Sequence, residues 1–554
     1  MDETTNKVNQ EVSIDGLAPW QACGAFNTYW TYNYSSKATF YATVNPRYYY
    51  FFTRYVQNWL YWYDGWVPYL HNQSNGVFST RLATSLCNRL SDKVAGGQLM
   101  FKNSGVETQN GEINKALQFI STKWAKDADF ARVRNLAIRY ASAGGTALLK
   151  ANVDGNGLWA EALRFDSFVP EVDFRGNVKK VTCYLQQYAD LTKSTDGKTA
   201  NNFFLIEERY FGDITRGNTT LRNRPLVRYR VKRATAVVGA SNDVSQIYGE
   251  DIQFKNLPRT VRDSILKNYG ILRFDIPHLL PFTDWLGVEL VRWTENVSSI
   301  PQLPFGESLL APIIAPLMVY DYAFSSTATD IYTGRARVLM PKPLINPKKN
   351  EKVAENGAQP NFNSGFDSFL YQQYPSSAVG AVNGEPEKPI PLQFDLRSTD
   401  WTQTRNMLVE NIALNIGVNA STIASFLSDS SAKTATEVSV DENETVGYIN
   451  NQRSILEKPF NRFLKHVTQY YGYADTVELR WSASGLTNRH SLANLIATAY
   501  SGGFLSEQKA VEMFNYDDDT AQIQEELMRI RQEKEAQNAQ NFDMFGDMSQ
   551  GLPQ

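Results

Sequence analysis

An α+β fold is what the sequence predicts, and three features predict it. Between residues 146 and 233, β-prone runs are joined by Asp-Gly turns; residues 398–417 and 437–467 carry helical apolar spacing; residues 20–69 are crowded with aromatic rings that need burial. At 554 residues the chain exceeds one ordinary core and shows no evident linker, so two or more interleaved lobes are expected. Charged residues make up 20% and the net charge is -3, which names no nucleic-acid or acidic partner by itself. Cys23, Cys87 and Cys183 are an odd number at wide spacing, arguing against a disulfide framework or a zinc site and for a reducing compartment. The polar start MDETTNKVNQ has no apolar signal core, and the longest apolar block, residues 309–320, is too short to span a bilayer; the chain reads as soluble and unexported.

The elements follow in order. "YYYFFTRYVQNWLYWYDGW" reads as core or subunit interface, with a sugar-stacking platform or a membrane-surface patch as the alternative. Residues 111–150 read as two helices ending at Gly144 and Gly145, and hairpins follow at Asp154-Gly155 and Asp196-Gly197. "RNRPLVRYRVKR" puts Arg228, Arg230 and Lys232 on one strand face, available to phosphate or, more simply, a solvated or salt-bridged edge strand. Residues 304–324 look helical, but Pro312 and Pro316 predict a kink or interruption. Residues 331–395 turn rich in Pro, Gly, Asn and Ser, and open with Arg335, Arg337, Lys342, Lys348, Lys349 and Lys352 against the single acid Glu351: a projecting module or a solvated loop. Ser398 is a plausible cap for a helix with Trp401, Leu408, Ile412 and Ile416 on one side. After a small polar stretch, Thr434 and Glu437 form a capping box, and Val446, Ile449, Leu456, Phe460, Phe463 and Val467 recur at three- and four-residue steps. "TVELRWSAS" reads as a strand, residues 491–514 as two short helices, and an acidic-to-mixed helix starts near Asp519.

Catalytic chemistry finds no foothold. His71, His278, His466 and His490 stand in no metal-ligand or nucleophile motif, and residues 517–519 suit helix-start electrostatics better than a cation site. Gly155, Gly157 and Ala160 match a relaxed dinucleotide pattern without the helix that would hold pyrophosphate. Gly197-Lys198-Thr199 ends like a phosphate loop, but Thr192 replaces its first glycine. The chain is therefore read as no enzyme, with no cofactor and no metal.

Several segments, in this order, resemble the portal proteins of tailed bacteriophages, in the branch with a C-terminal "TATEV"-type segment, here residues 434–438. They are "ALRFDSFVPEVDFRGNVKKVTCY", "PFGESLL" through "YDYAFSS" with "GRARVLMP" behind it, "SAKTATEVSVDENETVGYINNQRSILEKPF" and "GGFLSEQKAVEMF". The resemblance implies a ring subunit, usually one of twelve, at one capsid vertex of the virion, assembled in the host cytoplasm, with a channel for double-stranded DNA. It divides the chain into an aromatic helical region and β-rich wing (1–303), a first stem helix (304–330), a clip (331–397), a second stem helix (398–417), a tunnel loop (418–436), a long helix with a wing return strand (437–485), and a helical crown with tail (486–554). Ser428, Asp429, Ser430, Ser431 and Lys433 would line the channel, where small polar groups hold phosphate weakly and symmetry makes rings of Asp429 and Lys433. The six basic residues at 335–352 would dock the terminase large subunit, then the head-tail adaptor; major capsid and scaffolding proteins are the other implied partners, and no membrane is. The competing readings are a carbohydrate-acting enzyme using the aromatics of residues 20–69, or another virion structural or tail protein that adheres to sugar or membrane.

Overall fold

The computed structural model describes residues 40, 48, 51–65, 67, 77, 79–96, 99–103, 115–155, 157–173, 177–190, 201–216, 219–238, 244–269, 273–295, 303–333, 337–341, 371–374, 390–392, 398–427, 435–481, 496–506, 510–511 and 526–533. Within them the fold is mixed helix and sheet. A π-helical turn, Phe52–Val56, runs into α1 (Gln57–Tyr63), and Phe51, Phe52, Trp59, Leu60 and Trp62 are all buried. Phe51 stacks on Phe305 at 5.4 Å and Phe165 meets Phe305 edge-on at 4.8 Å, so this part of the aromatic run is core within one chain. α2 (Leu82–Ala95) turns Leu82, Leu86, Leu90 and Val94 inward at helical spacing. After β1 (Met100–Asn103), a helical segment from Lys115 to Asp127 ends at Asp129, whose φ of 47° separates it from α3 (Phe130–Gly144).

β2 (Thr146–Asp154) and β3 (Gly157–Arg164) form the first expected hairpin, with Asp154 paired to Gly157. β4 (Phe168–Val172), β5 (Val178–Asp190), β6 (Asn201–Arg216), β7 (Thr219–Val238) and β8 (Val244–Ile252) make an antiparallel meander, with the short β9 (His278–Leu279) beside β7. β7 lies between β6 and β8, so the basic strand is interior rather than an edge. Its basic face is spent on ion pairs: Arg228 and Arg230 reach Glu208 at 2.9 and 3.3 Å, and Lys232 reaches Asp251 at 3.1 Å. Burial opposes ionisation of Glu208, but Lys180, Arg228 and Arg230 outweigh it and hold the carboxyl below its usual range. α4 (Arg259–Tyr269) covers a second, smaller core around Leu205, Val231, Val261 and Ile265. β10 (Val288–Arg292) flanks β2 on the side away from β3.

The chain then enters a 3-10 turn, Ala311–Ile313, and α5 (Ile314–Thr333). Pro312 lies in that turn and Pro316 in the first turn of α5, where backbone N–H groups have no helical partner to lose. The prolines thus start the helix instead of kinking it. β11 (Arg337–Pro341), β12 (Tyr371–Tyr374) and β13 (Ile390–Leu392) form a small sheet, β11 parallel to β12 and antiparallel to β13. α6 (Ser398–Ile416), α7 (Ala420–Leu427) and α8 (Ala435–Tyr470) follow, and β14 (Val477–Arg480) returns to pair with β1. Further helix occurs at residues 496–501 and 526–533.

Within the span 418–436 expected to form a tunnel loop, residues 420–427 are helical, and residues 428–434 lie outside the described residues. Asn419 caps a helix there, its Oδ1 accepting the Ser421 N–H at 2.8 Å, and Thr422 and Ile423 are buried. The polar cap and the apolar residue behind it outweigh the small-residue composition. α8 joins the layers. Phe460, Phe463 and Val467 are fully buried, Phe130 stacks on Phe463 at 5.9 Å, and Arg453 donates to the Val94 carbonyl at the end of α2 at 2.9 Å. Cys87 and Cys183 are buried free thiols; Cys23 and the capping-box Thr434 lie outside the described residues.

Two glycines fix how α5's approach meets the core. Gly145 has φ +81°, and a Cβ on it would stand 2.3 Å from the Gly306 carbonyl oxygen, which is backbone and cannot swing away. Gly145→Ala is expected to cost at least about 2 kcal/mol, read as a lowered denaturation midpoint. Gly155→Ala, with nothing within 4 Å of its Cβ, is the near-neutral control.

Candidate functional site: a helix pair with an exposed stripe

α5 and α6 lie against each other, and the sequence of each explains why. On α6, Leu408, Val409, Ile412, Ala413 and Ile416 are buried at three- and four-residue steps. Trp401 fills the far end of the seam, edge-on to Tyr320 and to Phe324, each at 5.8 Å. α5 turns Leu317 and Tyr320 inward and ties itself to the start of α2: Thr80 donates its backbone N–H and its hydroxyl to Asp321 Oδ1 at 2.9 and 2.7 Å. Burial pushes the Asp321 carboxyl above its usual range, and the Thr80 donors only partly offset that. Further along, Ser325, Thr327 and Thr329 return their hydroxyls to carbonyls one turn back, which leaves little polarity pointing outward.

The outer side of α5 is unlike an ordinary solvent face. Ala315, Val319, Tyr322, Ser326 and Thr329 are exposed in one stripe at helical spacing, and none is charged. Asp321 and Asp330 are the only charged residues from Ile314 to Thr333, and no lysine or arginine is present. Val319 is 46% and Tyr322 42% exposed on α5, and α6 separately exposes Met407 at 62% and Leu414 at 80%. An apolar helix without a charged outer face is the pattern of an element that expects cover. Among the described residues no helix is long and apolar enough to cross a membrane.

The residues proposed from sequence fare unevenly. Ser428, Asp429, Ser430, Ser431 and Lys433 lie outside the described residues, as do Arg335, Lys342, Lys348, Lys349 and Lys352. Arg337 opens β11, the strand that draws residues 337–341, 371–374 and 390–392 into one sheet between α5 and α6 in the chain. Sequence reading overlooked Asp321, although an acid in the middle of "PLMVYDYAF" was a visible anomaly, and it overlooked the outer stripe, whose signal is the lack of charge on α5.

No family model matches this chain, and no curated protein does. Among solved structures, the chain is similar to one in the neck of an empty gene transfer agent particle computed with C6 symmetry, at 11% identity and TM-score 0.37, over 78% of this chain and 90% of that one. Similar chains occur in the virion of a native gene transfer agent particle (12% identity, TM-score 0.36, 78% and 89% covered) and in the neck of the native particle computed with C12 symmetry (12%, 0.34, 78% and 89%). At these scores the likeness fixes neither fold nor role.

Proposed function

We propose that this chain is one subunit of a closed ring at a single capsid vertex of a tailed-phage-type particle, a conduit for double-stranded DNA rather than an enzyme. The observation that carries the reading is the charge-free outer stripe of α5, with Met407 and Leu414 also exposed on α6: apolar surface suited to repeated contact with a second copy of the chain around a cyclic axis. The ordered resemblance of its segments to portal proteins points the same way. In this reading ATP is hydrolysed by a separate terminase, the module between α5 and α6 docks first that motor and then the head-tail adaptor, and residues 428–433 face the DNA. α8 would hold that segment in place from behind, since Thr445 accepts from the Asn419 N–H at 3.2 Å and bonds Thr422 at 2.9 Å while the rest of the helix is anchored in the core.

The carbohydrate reading needs an accessible ring platform, and Phe51, Phe52, Trp59 and Trp62 are inside the core. Negative-stain electron microscopy with mass photometry on the purified chain is expected to give closed rings with a central hole. Monomers that bind or hydrolyse a glycan would overturn the conduit reading.

A further inference from the structure

A cavity of about 450 Å³ opens beside β10, between the start of β5, the loop at residues 283–286 and α8. Its charged lining is uneven: Lys179, Arg292 and Arg462 against Asp284 and Glu289. Glu289 is 8% exposed; its Oε1 accepts from Trp285 Nε1 at 3.2 Å and its Oε2 lies 3.2 Å from Arg462. Arg292 gives one Nη1 to the Glu295 carbonyl at 3.2 Å and forms no ion pair among the described residues. Burial holds the Arg292 guanidinium below its usual range, and the nearby Arg462 adds to the effect. Arg462 is thus the cation paired with the buried Glu289, while the nearby Arg292 has no carboxylate partner among the described residues. Lys179 is partly engaged with Asp173 at 3.8 Å, and Asp284 is an exposed rim group. His466, stacked on Trp285 at 4.6 Å, is held below its usual range by burial and serves as a neutral wall near pH 7. Among the described residues, Phe211 and Asn223 alone reach the cavity from the β6–β7 side.

We propose that this cavity binds a phosphate-type oxyanion between Arg292 and Arg462, with Glu289 as the third contact. Donors converging from separate elements suit a group with three or four oxygens better than a two-oxygen carboxylate, and the volume leaves room for a small body attached to it. The anion takes Arg462 away from Glu289. A buried carboxylate that loses its cation is costly, so Glu289 accompanies the anion in its protonated form and donates a hydrogen bond to it. Burial already pushes this carboxyl up to about 7, against the pull of Arg462 and Trp285, so the proton is available near neutrality. One proton is thus taken up with each anion at high pH, and affinity falls as pH rises through that value.

Titration calorimetry of the full chain with sulfate tests this, because sulfate does not itself titrate between pH 6 and 8; chloride keeps the ionic strength constant. Saturable binding is expected, about tenfold weaker at pH 8 than at pH 6. Glu289→Gln, which keeps a donor, should bind as at pH 6 with a flat profile, while Arg292→Gln and Arg462→Gln should each weaken binding by at least about tenfold. Absence of saturable binding by wild-type protein, or unchanged binding in both arginine variants with native circular dichroism, would overturn the site. A Glu289→Gln variant that retains the wild-type pH dependence would overturn the proton linkage.

Discussion

Val319→Glu combined with Tyr322→Glu is expected to yield a folded monomer that no longer closes a ring. Both side chains are exposed in the single chain, at 46% and 42%, so the exchange touches no core packing and should change monomer stability by no more than about 0.5 kcal/mol. In the proposed ring the same positions are covered by a neighbour. Within α5 the new carboxylates would join two native acids, Asp321 and Asp330, with no basic side chain on the same helix to pair with them. Taking an unpaired carboxylate out of water costs several kcal/mol, and cyclic symmetry repeats that cost at every subunit boundary. Assembly should therefore fail as a whole and not weaken by degrees. Mass photometry and a thermal melt on the same sample separate the outcomes: a monomer with wild-type melting supports the interface, whereas rings of unchanged mass would remove α5 from it. Met407→Glu on α6 should act in the same direction.

How far the sequence was legible depended on whether a residue's role was local. Asp154-Gly155 and the flanking β-prone runs specify a hairpin by turn chemistry alone, and the hairpin is present. Val446, Ile449, Leu456, Phe460, Phe463 and Val467 mark one face of α8 by spacing alone; Val446 is half-buried and the other five are fully buried. That helix continues through Pro459, which removes a hydrogen bond; burial on both sides of the proline offsets a local cost of about 3 kcal/mol. Other readings failed where tertiary partners decide. The basic face of β7 looked like an edge because Glu208 and Asp251 lie about 20 residues away in either direction and only strand order brings them opposite. The residues at 418–427 looked like loop because Ser, Thr and Ala dominate the composition, while the helix depends on Asn419 and on burial of Ile423. The cavity at Glu289 has no sequence signature: Arg462 is far along the chain and reaches it only because α8 crosses β10.

The largest loss of stability is expected at Arg209, on β6. This guanidinium is 3% exposed and bridges the meander to the β2–β10 layer. Its Nε donates to Glu207 at 2.6 Å, its Nη1 lies 2.7, 3.2 and 3.3 Å from the carbonyls of Ala151, Gly287 and Leu286, and its Nη2 donates to Asn152 at 2.8 Å. Few side chains could supply that fan of donors; a rigid planar fork does. Burial alone would raise the Glu207 carboxyl, yet Arg209 and Lys150 overcome it and hold it low, while burial of Lys150 is overcome chiefly by Glu207, leaving its ammonium at about 12. Arg209→Met keeps much of the volume but strips Glu207 of its nearer cation and removes the guanidinium donor from the Ala151 and Leu286 carbonyls of the β2–β10 layer. Removing one partner of a buried pair costs about 3–5 kcal/mol, which should appear as a large fall in denaturation midpoint. Arg209→Lys should lose less, because a charge remains opposite Glu207, but a single ammonium cannot reach both layers. The acid limb gives an independent sign. A carboxyl held low contributes stability that is present above its ordinary value and lost as pH falls through the folded one, so weakening that hold moves the acid loss to higher pH. Arg209→Met should therefore unfold at a higher pH than wild type on acidification, followed by circular dichroism; an unchanged acid midpoint would mean that Lys150, 3.5 Å from Glu207, holds the carboxylate by itself.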